Sequence, residues 1–311
     1  MSKAAVTLIW PGIAPILKQE INKSILPPNL KRLLKTARFT ADETRFQRLL
    51  VNQFSDEDIT ALDLPLASLF GENLLFADPC HLLADRDRLI LFSEDLDISK
   101  DEKLALMAEI QPLLTEFKAN FIENDNSEHW LLQLEEKPNL TLTALEDVST
   151  MGLEEALPQG ADRQDWLRLW NEIQMQLFNA DVNQQRIAQG KLAINSVWFW
   201  GMGQLSLDHD RWSEVVGTNP LLSLLAQSSN ADLKAEIDYS NLLENRNYLC
   251  LLDEVDLESD WISQLNIQDE IIVKPLLKQC KQAKISQLTL HIPDYGYFEL
   301  KSLDCWRFWR Y

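Results

Sequence analysis

The sequence predicts a mixed α/β protein in which strand and helix signals alternate. Three observations carry that expectation. Short apolar runs at residues 6–10, 74–77, 89–92, 130–134, 248–252 and 285–292 read as strands. Residues 97–121 and 162–178 place apolar side chains at helical spacing between them. The chain has 311 residues and a hydrophobic fraction of 46%, enough for one large core or two modest ones.

The elements follow in order. The first strand stops at Pro11-Gly12, a turn pair. Residues 27–52 begin with Pro27-Pro28 and continue as a basic helical stretch with Lys31, Arg32, Lys35 and Arg38. That stretch is either a solvated helix face or a dock for an anionic partner. Residues 56–70 turn from acidic to apolar and read as helix, and residues 78–88 read as a loop between two strands. In 97–121, Leu104, Met107, Ile110, Leu114 and Phe117 share one face. Residues 140–160 form a weak connection with Pro158 and Gly160, so the expected division is 1–158 and 159–311, with a single domain as the alternative. Asp162 is the expected N-cap of the next helix, with Asp165 in its first turn. Trp166, Trp170, Ile173, Leu177 and Phe178 supply its buried stripe. Residues 270–283 read as a helix that is basic toward its end. A hairpin follows, 285–292 with 297–300, around Pro293-Asp294-Tyr295-Gly296. Residues 303–311, with Trp306, Phe308 and Trp309, read as a packed terminal helix.

Composition excludes several function classes. Lys plus Arg is 29 and Asp plus Glu is 48, a formal net charge of −19; this argues against a nucleic-acid partner. No apolar run approaches the roughly 18 residues of a membrane span, and residues 1–10 lack the apolar region of a secretory signal. Neither a membrane nor an export route is expected. The four cysteines, Cys80, Cys250, Cys280 and Cys305, form no C-x-x-C pair. They read as reduced thiols of a cytoplasmic protein, with no zinc site. No cofactor is expected: Walker A and G-x-S-x-G patterns are missing, and 9 glycines leave few phosphate cradles. The 10 tryptophans read as packing residues.

Two segments carry candidate chemistry. Residues 181–203 read V-N-x-x-R-x-x-x-G-K-x-x-x-N-x-x-W-x-W-G-x-G. Asn183, Arg186, Lys191 and Asn195 would converge near the Gly201-x-Gly203 turn. Arg and Lys would hold a phosphate there, with backbone N–H groups facing it. The competing reading is structural: the asparagines cap chain ends and Arg186 pairs with an acid. The second segment offers Asp78, His81, Asp85 and Asp87, a weak oxygen-rich or proton-carrying site. Its structural alternative is a salt-bridged loop in which Asp78-Pro79 starts a turn. Asp208-His209-Asp210 reads as a loop.

The first segment resembles the pattern H-P-V-N-x-x-R-x-x-x-G-K-x-P-A-N of archaeal-type cofactor-independent phosphoglycerate mutases. Ala180 and Asp181 stand here where that pattern has His and Pro. The A-D-P-x-H-L-x-x-D-R-D run at 77–87, N-E-I-Q-M at 171–175 and N-S-x-W-x-W-G-x-G at 195–203 resemble bacterial RpfE-type proteins, a regulatory or phosphoglycerate mutase-like group. The resemblance implies an alkaline-phosphatase-like α/β fold in reduced form, with 159–311 as the mutase-like region. It also implies two-metal phosphoryl chemistry, which needs a convergent set of Asp and His ligands. Here the opening acid-glycine pattern is missing, and His81, His129, His209 and His291 are scattered. No intact metal centre is therefore expected. The expected function is regulatory and non-catalytic, sensing a phosphorylated metabolite or another anion, or binding a protein partner. The alternatives are an active mutase-type isomerase and an acidic interaction module built on exposed aromatics at 198–212 and 306–309.

Overall fold

A computed structural model describes residues 3–19, 25–85, 88–124 and 127–306. In chain order the strands are β1 (Ala4–Ile9), β2 (Arg38–Asp42), β3 (Leu74–Asp85), β4 (Arg88–Phe92), β5 (Ala119–Ile122), β6 (Leu131–Leu134), β7 (Ser196–Trp200), β8 (Glu214–Val216), β9 (Asp232–Lys234), β10 (Asn247–Leu251), β11 (Ile285–Ile292) and β12 (Tyr295–Lys301). The helices used below are α1 (Pro28–Thr36), α2 (Lys100–Glu116), α3 (Arg163–Asn179), α4 (Asp181–Ala188), α5 (Pro220–Ser228) and α6 (Lys274–Lys281). The mixed α/β expectation is met.

The chain forms two compact units at positions other than 158/159. One is discontinuous, residues 1–58 with 206–311; the other is the inserted stretch 59–205. The connection at 140–160 lies inside the inserted unit. It holds two short helices, Leu145–Met151 and Leu153–Ala156, separated by Gly152.

The discontinuous unit is a seven-stranded sheet in the order β2-β12-β11-β1-β10-β8-β9. β11, β1, β10, β8 and β9 are mutually parallel, while β12 and β2 add antiparallel at one edge. Its core joins Val6, Leu8, Trp10, Tyr248, Leu288 and Leu290 to Leu30 and Leu33 of α1 and Leu276 of α6. Asp269 fixes α1: its carboxylate accepts from the backbone N–H of Leu30 (2.6 Å) and from the side chain of Asn29 (2.8 Å). That satisfies donors a helix start leaves open.

The inserted unit is a five-stranded antiparallel sheet, β4-β3-β6-β5, with β7 also paired to β3. α3 buries Trp166, Leu169, Trp170, Ile173 and Leu177, close to the expected stripe; Phe178 is instead 73% exposed. Asp162 does occupy the N-cap position, but makes no cap hydrogen bond. Its carboxylate accepts from the Asn139 N–H at 2.7 Å instead.

Several expectations are corrected. Residues 78–85 continue β3 rather than forming a loop, because Pro79 faces Val197 within a ladder that β7 completes. Residues 56–70 form only a 3-10 turn, Leu66–Leu69, after Pro65; the ring restricts Leu64 and removes a donor. The 27–52 stretch is two helices around the edge strand β2, whose charged side chains hid it. The 97–121 helix begins later, at a Ser99–Glu102 capping box, and ends before Lys118, which turns at φ 53 into β5. The 270–283 helix is α6 preceded by a π-helical turn, Asp269–Val273. Asp304–Trp306 is a 3-10 turn; the remainder of the expected terminal helix, with Phe308 and Trp309, lies outside the described residues. No helix among the described residues is long and apolar enough to cross a membrane.

Candidate functional site

The residues expected to form an anion pocket do not gather at the 201–203 turn. β7 pairs Ser196 with Cys80 at one end and Trp200 with Phe76 at the other. Asn195 and Gly201 flank opposite ends, so Asn195 and Trp200 are roughly 16 Å apart along the strand. Asn195 acts as a surrogate backbone unit for β3: its Oδ1 accepts from Leu82 N–H (2.7 Å) and its Nδ2 donates to Leu82 O (2.9 Å). Asn183 is 1% exposed. Its amide donates to the carbonyls of Leu177 and Ile194 and accepts from Ile194 N–H, each at 2.8 Å.

Arg186 is fully buried on α4. Its Nε donates to Leu192 O (2.9 Å), one terminal nitrogen to Asp97 O (3.1 Å) and Glu102 Oε1 (2.9 Å), and the other to Leu96 O (2.6 Å). Four of the five N–H bonds of a guanidinium are thereby used. Asp95 and Asp97 flank Leu96 with left-handed φ values of 52° and 44°, a conformation Asp tolerates better than most residues. Glu102 serves two partners at once. Its Oε2 accepts from Ser99 N–H (2.7 Å), closing the capping box of α2, while Oε1 takes Arg186. The Ser99 backbone bond, then the Ser99 hydroxyl and the Arg186 charge, outweigh burial and hold the Glu102 carboxyl below its ordinary range. Lys191 approaches Asp97 Oδ2 (2.8 Å) and, more distantly, Glu102 Oε2 (3.9 Å).

The two glycines serve close packing. A Cβ on Gly201 (φ 83°) would lie 2.5 Å from the Phe76 ring, and one on Gly203 (φ 146°) 2.8 Å from Pro65 Cβ.

The second predicted cluster separates as well. Asp78 and His81 lie three residues apart on β3 and so face opposite sides. His81 bonds the Ala193 carbonyl through Nδ1 (2.7 Å). Asp85 ends β3, but its side chain and all of Asp87 lie outside the described residues. Asp78 is 5% exposed. Its Oδ2 accepts from His129 Nδ1 (2.7 Å) and Trp200 Nε1 (2.7 Å), and its Oδ1 from Trp130 N–H (3.2 Å). Phe76 packs on His129 at 4.4 Å and Trp200 meets it edge-on at 5.3 Å. Burial opposes the charged imidazole, but the hydrogen bond and charge of Asp78, with Glu128 adding, raise its pKa above the ordinary value. This Asp–His pair can hold or move a proton near neutrality.

His129 counts in the sequence only as one of four scattered histidines; its pairing with Asp78 is not legible there because 51 residues separate the two and no motif links them. Glu102 had a legible signal in S-x-x-E at 99–102, ahead of an apolar run.

Two cavities are further candidates. In the discontinuous unit a crevice of about 610 Å³ opens past the carboxyl ends of β1, β10 and β11. Ligands of open parallel sheets bind in this position. Its lining includes Thr218, Asn219, Asp253, Glu254 and Asp294, and no Lys, Arg or His among the described residues. Those carboxylates disfavour an anion. In the inserted unit a groove of about 710 Å³ runs beside α2, with Trp130 and Phe121 in its lining and Lys100 and Lys103 at one end. Glu123 and Glu128 also line it. Among the described residues no three His, Cys, Asp or Glu side chains are placed to hold a metal ion. Asp208-His209-Asp210 is a loop, tied by Arg211 Nε to Asp208 Oδ2 at 3.2 Å.

No protein-family model matches the chain. Over 107 residues it is 28% identical to a probable 2,3-bisphosphoglycerate-independent phosphoglycerate mutase of Geobacter sulfurreducens, covering 34% of this chain. The match spans 27% of that relative's length. Two solved structures are similar over most of the chain. One is a cofactor-independent phosphoglycerate mutase from Thermoplasma acidophilum DSM 1728, with 11% identity, 97% of this chain and 90% of that one covered, and a TM-score of 0.43. The other is protein PH0037 of Pyrococcus horikoshii, with 10% identity, coverages of 96% and 87%, and a TM-score of 0.49. The chain is thus weakly similar in sequence to cofactor-independent phosphoglycerate mutase over a third of its length.

Proposed function

We propose that this chain is a phosphoglycerate mutase-like regulatory protein of the cytoplasm, of the RpfE type, that binds a small anionic metabolite without converting it. One observation carries the reading. Arg186, the cation of the mutase-like signature, is fully buried and spent on three carbonyls and Glu102. A guanidinium so engaged has little capacity left for a substrate phosphate. The signature therefore serves architecture in this chain. The metabolite contact falls instead to the groove beside α2, where Lys100 and Lys103 have no ion-pair partner among the described residues. Its aromatic and apolar lining with a few charged groups has the make-up of small-ligand sites.

The interaction-module reading loses its basis at 198–200. Trp198 and Trp200 are 3% and 0% exposed, and their indoles are bonded to Thr143 O and Asp78. Trp212 is bonded to Gln53 O. The 306–309 side chains lie outside the described residues.

The test is thermal unfolding with 2- and 3-phosphoglycerate, each with and without Mn²⁺, beside a turnover assay. A ligand at 100 times its dissociation constant adds about 2.7 kcal/mol. The expected result is stabilisation without metal, no turnover, and loss of the shift in Lys100→Glu/Lys103→Glu. Turnover would establish the isomerase instead. No shift with any phosphorylated ligand would reject the sensor.

A further inference from the structure

All four cysteines are free and buried, but they fall into two kinds. Cys80 and Cys250 each neighbour a hydroxyl, Ser196 and Tyr239 respectively. Burial drives both thiols up, Cys250 to about 12; both are inert at neutral pH. Cys280 on α6 and Cys305 in the Asp304–Trp306 turn are different: that turn packs on α6 and puts both thiols in one apolar cluster, where they act on each other. Arg32 and Lys281 bring positive charge to Cys305, against one nearby acid, Asp304. The neighbouring Cys280 thiol, then those two cations, outweigh burial and hold the Cys305 thiol below its ordinary range. The neighbouring Cys305 thiol and burial push Cys280 up. Cys305 keeps 8% exposure and Cys280 none, so an oxidant meets Cys305 first.

We propose that Cys280 and Cys305 are a modification site, a dithiol that a hydroperoxide converts to an intramolecular disulfide. The Cys305 thiolate attacks a peroxide oxygen; an S–O bond forms, the O–O bond breaks, and the alkoxide or hydroxide leaves and takes up a proton. The Cys280 sulfur then attacks the sulfenic sulfur of Cys305. The S–S bond forms, the S–O bond breaks, and hydroxide departs with the Cys280 proton as water. The two thiols lose two electrons and the peroxide gains them. The product ties the 304–306 turn covalently to α6.

The experiment uses the full chain, reduced and freed of reductant, exposed to hydrogen peroxide that is then removed. Thiols are counted in denaturant, and unreduced peptides are mapped by mass spectrometry. The expected count falls from four to two, with Cys280 and Cys305 peptides linked, and dithiothreitol restores all four. In Cys280→Ser no disulfide forms, and a sulfenic acid on Cys305 is trapped by a 1,3-dione. Four surviving thiols, a disulfide between two molecules, or oxidation of Cys80 or Cys250 as fast as Cys305 would overturn the proposal. Should Cys280→Ser not fold, the wild-type count and peptide map decide alone.

Discussion

The Arg186 clamp and the Asp78–His129 centre both lie in the inserted unit, and both bury charge. They differ in whether that charge can change. Arg186 stays cationic at any pH a protein survives, and its partners are mainly backbone carbonyls, of which only that of Asp97 also accepts from Lys191, at 3.3 Å. His129 has a half-exposed side chain and one carboxylate partner. The first arrangement locks a loop onto a helix; the second can be switched by a proton. A match to a binding signature therefore says little until the partners of its cation are known. The signature's cation is architectural here, while the titratable centre sits outside the signature.

The hardest test of that contrast is Arg186→Met, which keeps bulk and removes the donors. It leaves the carbonyls of Leu96, Asp97 and Leu192 without this partner and Glu102 without its cation. The expected cost is about 3–5 kcal/mol, read as a lower urea midpoint. Arg186→Lys should recover little, because one ammonium cannot span four acceptors. A loss below about 1 kcal/mol would make the clamp dispensable and return Arg186 to the list of binding residues.

Two histidines sharpen the contrast between the units. His291, in the discontinuous unit, packs against the Tyr297 ring at 5.2 Å, the two planes tilted by 32°. Burial lowers its pKa to about 4, against a small opposing pull from Asp42. Its unfolded form takes up a proton near 6.5 while the folded form does not. Its stabilising effect is thus complete above about pH 6.5 and declines toward pH 4, by about 3 kcal/mol in all. His129 has the opposite sign. Its folded pKa is raised, so its contribution is complete below about 6.5 and fades as pH rises through the folded value. Histidine titrations followed by NMR should separate the two, and His291→Phe should flatten the acid limb alone.

Asp78→Asn is the next smaller change. It should cost about 1–3 kcal/mol, since one amide cannot accept from His129, Trp200 and Trp130 as the carboxylate does. Its sharper readout is the His129 titration. With the carboxylate gone, burial is the main influence left, and the pKa should fall below the ordinary histidine value. An unmoved titration would mean that Asp78 does not set it.

Much of the fold was legible because it rests on local pattern. The run at 285–292 is β11 to the residue, and the α3 stripe shows in its Trp and Leu spacing. What escaped was set by tertiary contact. β3 runs through Asp78-Pro79 because β7, more than a hundred residues away, supplies its ladder. β2 carries charge at Arg38 and Asp42 and is held by β12. The domain division escaped for the same reason: β1 finds its partners in β10 and β11 near the other end of the chain, and no local composition marks the inserted stretch. Of the candidate site, the sequence shows the polar and cationic residues at 183–195 and that Arg186 could meet either an anion or an acid. Their partners were not legible, since Leu96, Asp97 and Glu102 are distant in sequence.

Lys191→Ala gives the smallest effect and the finest cut. Lys191 sits beside Arg186 in the signature and reaches the same loop, so sequence alone treats them as a pair. Their surroundings differ. The Lys191 side chain is 28% exposed and the Asp97 carboxylate it meets is 80% exposed. Water screens such a pair, and its worth is about 0.5 kcal/mol. A double-mutant cycle with Asp97→Asn should return a coupling of that size that shrinks further in 1 M salt. A coupling near 2 kcal/mol, insensitive to salt, would place Lys191 inside the clamp. The boundary between the locked cation and the exchangeable ones would then run through the groove's Lys100 and Lys103 rather than through Lys191.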